Sequence, residues 1–149
     1  MRFHLVDRII DYSIWEKATG VKNITSADEL LEYSNESRSM TFPKPLLCES
    51  ILQTCAWLIV KSSDNTKRPV ILSFKKIDFL DNVKVGDSVR MHVEILSYTE
   101  EYATVSGCAI VDNREVLRFD ECFISLLNTG KLEKPEDTKN MIASLFRED

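Results

Sequence analysis

The sequence predicts an α+β domain in which one long buried helix is wrapped by a strongly curved antiparallel sheet. Three observations carry that prediction. The stretch PKPLLCESILQTCAWLIV, Pro43 to Val60, is apolar over most of the circumference of a helix. The second half of the chain changes to strand character, with Val89, Met91, Val93 and Ile95 alternating with Arg90, His92 and Glu94. Turn signals at Val85-Gly86-Asp87 and Asp112-Asn113 separate these segments by short connections, which favours antiparallel pairing. A helix that is apolar on several sides must be covered, and a curved sheet covers it economically.

The elements follow in order. A short turn is expected at Phe3 to Val6, then two strands, Ile9 to Tyr12 and Trp15 to Ile24, joined by a tight connection. Ser26-Ala27-Asp28-Glu29 has the S-x-x-E capping pattern ahead of Leu30 and Leu31, so a short helical turn is expected there. Glu32 to Thr41, EYSNESRSMT, is polar and without period, and reads as a loop. Pro43 and Pro45 suit the first turn of the helix, where a missing N–H is no loss, and Lys61 to Asn65 ends it. Strands are expected over Val70 to Phe79, Ser88 to Tyr98, Tyr102 to Asp112 and Val116 to Asn128. After these, Pro135 marks a helix start, and Met141, Ile142, Leu145 and Phe146 form a narrow apolar stripe suited to docking on the domain or on a partner subunit. The expected organisation is a main domain over residues 1–130 and a tail with a short amphipathic helix over 131–149.

Composition bounds the function. The 149 residues, 44% hydrophobic and 29% charged with only 4 Gly and 4 Pro, suit one globular domain and leave little room for linkers. A net charge of -5 and no cluster of Lys and Arg interleaved with aromatics speak against a nucleic-acid partner. Apolar runs are too short to span a bilayer, and MRFHLVDRIID is unlike a signal peptide, so no membrane and a cytoplasmic setting are expected. The 4 cysteines, Cys48, Cys55, Cys108 and Cys122, have no C-x-x-C and no companion histidines at ligand spacing. They read as small hydrophobes, with no metal and no cofactor.

One pair within the helix asks for an explanation. Glu49 and Gln53 stand at i and i+4 and project from one face, so the amide can hydrogen-bond the carboxylate and fix its direction. A buried unpartnered carboxylate is costly, so Glu49 is at a surface, held by neighbours for structure, or placed for chemistry. The bland alternative is a helix N-terminus whose dipole favours an acid, with a glutamine below it.

Several stretches taken together resemble a known family. RFHLVDRIID near the start, VKNIT at 21 to 25, FPKPLLCESILQTCAWLI at 42 to 59, KKIDF at 75 to 79 and VKVGDSVRMHVEIL at 83 to 96 are similar, in order and spacing, to the hotdog-fold 3-hydroxyacyl-[acyl-carrier-protein] dehydratases of fatty acid synthesis. That family carries a Phe-Leu-Leu-Val-Asp-Arg start, a Lys-Asn-Val-Thr strand end, a Met-Pro-Gly helix start and a helix reading Glu-Ala-Met-Ala-Gln. The resemblance covers about residues 2 to 127 and leaves out the tail. It implies a hotdog fold and action on thioesters of acyl carrier protein in fatty acid or polyketide-like biosynthesis. It also implies a dimer whose active sites lie at the subunit interface, a histidine of one chain facing a glutamate of the other. Glu49 falls on the catalytic glutamate and Gln53 on the glutamine that accompanies it.

The departure lies in the segment before the helix. With Pro43 and Glu49 in register, the family's catalytic histidine falls on Asn35, followed by Glu36, Ser37, Arg38 and Ser39, and Lys44 replaces the glycine after the matched proline. Asparagine takes up no proton near neutral pH, so Asn35 is no base, although it can hydrogen-bond a hydroxyl or a thioester oxygen. Ser39, Pro43, Lys44 and Gln53 are the remaining candidates for substrate contact. Of the two histidines, His92 alternates with Arg90 and Glu94 on a polar strand face and reads as solvated, while His4 sits at a usually apolar position of the N-terminal motif. Three readings follow: a divergent hydro-lyase using Glu49, a pseudo-enzyme subunit of a hetero-oligomer whose related partner brings the histidine, and an acyl-thioesterase; the expected assembly is a homodimer or a heterodimer with a hotdog homologue.

Overall fold

The computed structural model describes residues 4–131 and 135–147. Of the N-terminal turn expected at Phe3 to Val6, Phe3 lies outside the described residues. Residues 4–7 form an N-terminal strap leading into β1 (Arg8–Ser13), which returns as β2 (Lys17–Asn23) through a turn with Trp15 at φ 57°. No helix forms at Ser26–Glu29, where the chain makes isolated turns, one closed by the Asp28 N–H on Thr25 O at 3.1 Å. Asp28 explains it: its carboxylate accepts the Thr25 N–H at 2.8 Å and the Lys22 ammonium at 2.9 Å, local bonding that competes with a helix.

The polar stretch read as a loop is a hairpin. β3 (Glu32–Ser34) pairs with β4 (Ser39–Phe42) in the register Glu32↔Thr41, Tyr33↔Met40, Ser34↔Ser39, and Arg38 turns the corner at φ 49°. Strands this short have no alternation to betray them. β7 (Val83–Lys84) pairs on the other edge of β4, making a three-stranded sheet, β3-β4-β7.

α1 (Lys44–Ser62) starts at Pro43, whose carbonyl accepts the N–H groups of Leu46 and Leu47 at 3.0 Å each. No side chain caps its start. A side-chain cap is worth about 1 kcal/mol, whereas each fully buried Leu or Ile contributes about 1.5–3 kcal/mol. Ile51, Leu58 and Ile59 are all 0% exposed, so burial decides the stability of this helix. The hydroxyls of Ser50 and Thr54 are buried with them and donate back to the carbonyls of Leu46 and Ser50 at 2.9 Å.

The remaining elements are β5 (Lys67–Phe74), β6 (Ile77–Phe79), β8 (Ser88–Tyr98), β9 (Tyr102–Val111), β10 (Arg114–Asn128) and α2 (Pro135–Phe146). The single strand expected over Val70 to Phe79 is thus two, broken at Lys75, whose N–H goes to Glu121 O at 3.0 Å. Among the described residues the main sheet runs β1-β2-β8-β9-β10-β5, with β6 also on β10. Asp112 (φ 48°) and Asn113 (φ 65°) make the tight β9–β10 hairpin in the left-handed conformation that such turns require.

Two glycines set how closely α1 lies on this sheet. A Cβ at Gly107 would stand 2.6 Å from both Ile51 Cγ2 and Phe119 Cζ, and one at Gly20 would stand 2.6 Å from Thr54 Oγ1. At its far end α2 joins the same core through Leu145 and Phe146, with the Phe146 ring edge-on to Tyr12 at 5.0 Å and Lys61 5.6 Å above it. Among the described residues no helix is long and apolar enough to cross a membrane.

Candidate active site

The second turn of α1 presents the one acidic side chain of the helix. Glu49 is exposed, between buried Cys48 and Ser50, because the helix turns this narrow face away from the sheet. One turn on, Gln53 Nε2 donates to Glu49 Oε1 at 3.3 Å, and Gln53 Oε1 accepts the backbone N–H of Leu5 at 2.9 Å. The amide is therefore oriented by the main chain of the strap, and it holds the carboxylate in turn. The adjacent Cys48 thiol is pushed up to about 11 by burial and by the charge of Glu49. It stays a thiol at neutral pH and is no nucleophile.

The strap is itself anchored. Leu5 and Val6 are buried, the Asp7 N–H donates to Val21 O at 2.7 Å, and the Asp7 carboxylate accepts the Asn23 N–H at 2.7 Å. Lys22, with a side chain only 10% exposed, lies 2.9 Å from Asp28 and 3.9 Å from Asp7. Burial pushes Asp28 up, but the Thr25 N–H and the Lys22 ammonium outweigh it and hold this carboxyl below its ordinary range. A buried ammonium between two carboxylates ties β2 to the strap, and removing one partner would leave an uncompensated charge.

The structure brings Glu49 and Gln53 together and leaves the other candidates apart from them. Asn35 is exposed in the β3–β4 turn, and Ser39 opens β4 with its hydroxyl 2.8 Å from Ser37 Oγ. Neither hydrogen-bonds to Glu49 among the described residues. Pro43 is buried at the helix start and Lys44, the first helical residue, is exposed. Sequence reasoning missed the part played by Leu5, Asp7 and Lys22, although the segments LVD and VKN that carry them stood in the matched motifs.

His92 departs from the solvated side chain expected of it. It lies on the sheet face turned away from α1, in a cleft of about 280 Å³ shared with Thr19, Cys108, Glu115 and Arg118. Its Nδ1 is 3.0 Å from Thr19 Oγ1, and burial, helped by Arg90, lowers its pKa. The alternation of β8 puts the sheet between this imidazole and the Glu49 pair. Among the described residues no cluster of three or more His, Cys, Asp or Glu side chains could hold a metal ion.

Comparison with known proteins places this architecture. No family model matches the chain. Among solved structures it is similar to a Streptococcus mutans protein bound to acetyl CoA (TM-score 0.66, 11% identity, 86% of this chain and 94% of that one). It is also similar to the Escherichia coli PaaI protein of a phenylacetic acid degradation operon (TM-score 0.61, 15% identity, 80% and 78%). The fold is a hotdog, an antiparallel sheet around one long helix. Among curated proteins, the 3-hydroxyacyl-[acyl-carrier-protein] dehydratase FabZ of Geobacillus sp. is 32% identical over 124 residues, 81% of this chain and 83% of the relative. That of Gluconacetobacter diazotrophicus is 32% identical over 117 residues, 76% and 72%. The chain belongs to the 3-hydroxyacyl-[acyl-carrier-protein] dehydratase FabZ family.

Proposed function

We infer that the protein acts as a hydro-lyase on 3-hydroxyacyl thioesters carried by acyl carrier protein, with Glu49 as a proton-transfer group. The observation that carries this reading is the Leu5–Gln53–Glu49 chain of hydrogen bonds, which leaves an exposed carboxyl oriented at the start of a buried helix. Dehydration removes a proton next to the thioester carbonyl and expels the hydroxyl one carbon further on, so it needs an acceptor, a donor and stabilisation of the thioester oxygen. A carboxyl whose geometry is fixed by an amide suits the donor. It gives its proton to the departing hydroxyl, and Gln53 keeps it from turning away.

The site is open in one chain, and a second subunit is the expected cover. β5 ends the main sheet, and Val70, Ile71 and Leu72 on it are 39%, 37% and 57% exposed. An apolar sheet edge of this kind invites pairing with another chain, which supports a homodimer or a heterodimer with a hotdog homologue. The heterodimer has its own observation in favour: the β3–β4 turn carries Asn35 where relatives of this family place a histidine.

The test is hydration of a 2-enoyl thioester, followed by loss of enoyl absorbance on the purified chain. Turnover that Glu49→Gln removes supports the reading. Turnover that survives that substitution contradicts it.

A further inference from the structure

The proposed reaction needs two proton-transfer groups, and α1 supplies one. The hairpin does not supply the other, since Asn35 is an amide and accepts no proton near neutral pH. The chain has 2 histidines, and His92 is behind the sheet, bonded to Thr19. His4 immediately precedes, in the chain, the residue whose main chain orients the site. The peptide N–H that follows it, that of Leu5, is the one that donates to Gln53 Oε1 at 2.9 Å, and Gln53 Nε2 in turn donates to Glu49 Oε1 at 3.3 Å. The strap is anchored on the C-terminal side of His4 by buried Leu5 and Val6 and by Asp7, while the imidazole is exposed, as Glu49 is. An exposed histidine is usually an ordinary surface residue. What sets His4 apart is that its own peptide link orients the site.

We propose that His4 is the acid–base partner of Glu49, supplying from the strap of the same chain the imidazole that the hairpin lacks. The proposal rests on the dehydratase reading above. As the C2–H bond breaks, the neutral imidazole of His4 accepts that proton and the electron pair forms the C2=C3 double bond. The C3–O bond breaks, and the hydroxyl leaves as water with the proton of the Glu49 carboxyl. Transfer of the proton from the imidazolium to the carboxylate through solvent restores both groups, and no co-reactant is consumed.

The experiment measures enoyl-thioester hydration by the full chain and by His4→Ala, His4→Gln and Glu49→Gln. His4→Ala and His4→Gln are expected to lose about 100-fold or more in kcat with KM little changed. Added imidazole should restore part of the rate of His4→Ala and none of that of His4→Gln, a response that a merely structural role would not give. Near-wild-type kcat in His4→Ala, with Glu49→Gln inactive, overturns the role of His4 and leaves the dehydratase reading standing. Loss in His4→Ala without rescue, together with an active His4→Gln, makes His4 structural and overturns the proposal. A wild-type chain silent on enoyl thioesters overturns the proposal, and silence that persists after a histidine-bearing hotdog homologue is added overturns the dehydratase reading as well.

Discussion

The two segments that meet at Pro43 differ in what holds them. α1 is fixed by the core: Ile51 seats against Gly107, Thr54 against Gly20, and the strap reaches over to Gln53. The β3–β4 hairpin is fixed locally, by three residue pairs, a turn at Arg38 and a short pairing with β7. A change on the core-facing side of α1 disturbs the sheet, whereas a change at the hairpin tip disturbs little else. Gln53 and Glu49 therefore stand on an element that the core fixes, and Asn35 to Ser39 on one that it does not.

Substitutions test this contrast. The largest effect is expected from Glu49→Gln, which removes a proton donor without changing shape and should lower the hydration rate by about 10²–10⁴-fold. Melting temperature should be nearly unchanged, because the side chain is exposed. Next is Gly107→Ala, whose added methyl has no space between Ile51 and Phe119. Overpacking of this kind costs about 1–3 kcal/mol, so thermal unfolding should shift down by several degrees, and an unshifted transition would show that α1 is free to move off the sheet.

A smaller effect is expected from His92→Gln. Burial lowers the pKa of His92 in the folded chain below its ordinary value of 6.5. The unfolded state then binds the proton first as pH falls. The stability that His92 contributes is present above 6.5 and is lost as pH drops below it towards the folded pKa. Urea unfolding between pH 7.5 and 5.5, roughly the range over which a histidine titrates, should show a weaker decline in His92→Gln than in the wild type. The smallest effect is that of Asn35→Ala, which should change neither stability nor hydration rate appreciably, since the side chain is exposed in a turn and bonds to no part of the site.

The legibility of the sequence followed the same division. α1 and β8, β9 and β10 were readable because burial imposes a period: Val89, Met91, Val93 and Ile95 alternate as a half-buried strand must. The hairpin was not, since Tyr33 and Met40 face solvent and nothing apolar marks its inner side. The stretch from Ser26 to Glu29 misled for a different reason: the Asp28 carboxylate bonds the Thr25 N–H and Lys22, a local and tertiary pairing that the S-x-x-E spacing does not record. In the site, the i to i+4 spacing gave the Gln53–Glu49 contact directly. The Leu5 bond had no trace, because a backbone N–H is present at every residue and only the fold brings this one to Gln53. His92 was assigned to the correct face of β8, but alternation along one strand does not record that it shares a cleft with Glu115 and Arg118 of β10.

We propose that the working half of the site is the one on α1. This is tested most directly by the ratio of the enoyl-thioester hydration rates of Asn35→Ala and Glu49→Gln, each normalised to the wild type. If the claim holds, Asn35→Ala runs near the wild-type rate and the ratio is about 10² or more. A ratio near one, with both substitutions equally harmful or equally harmless, would contradict it.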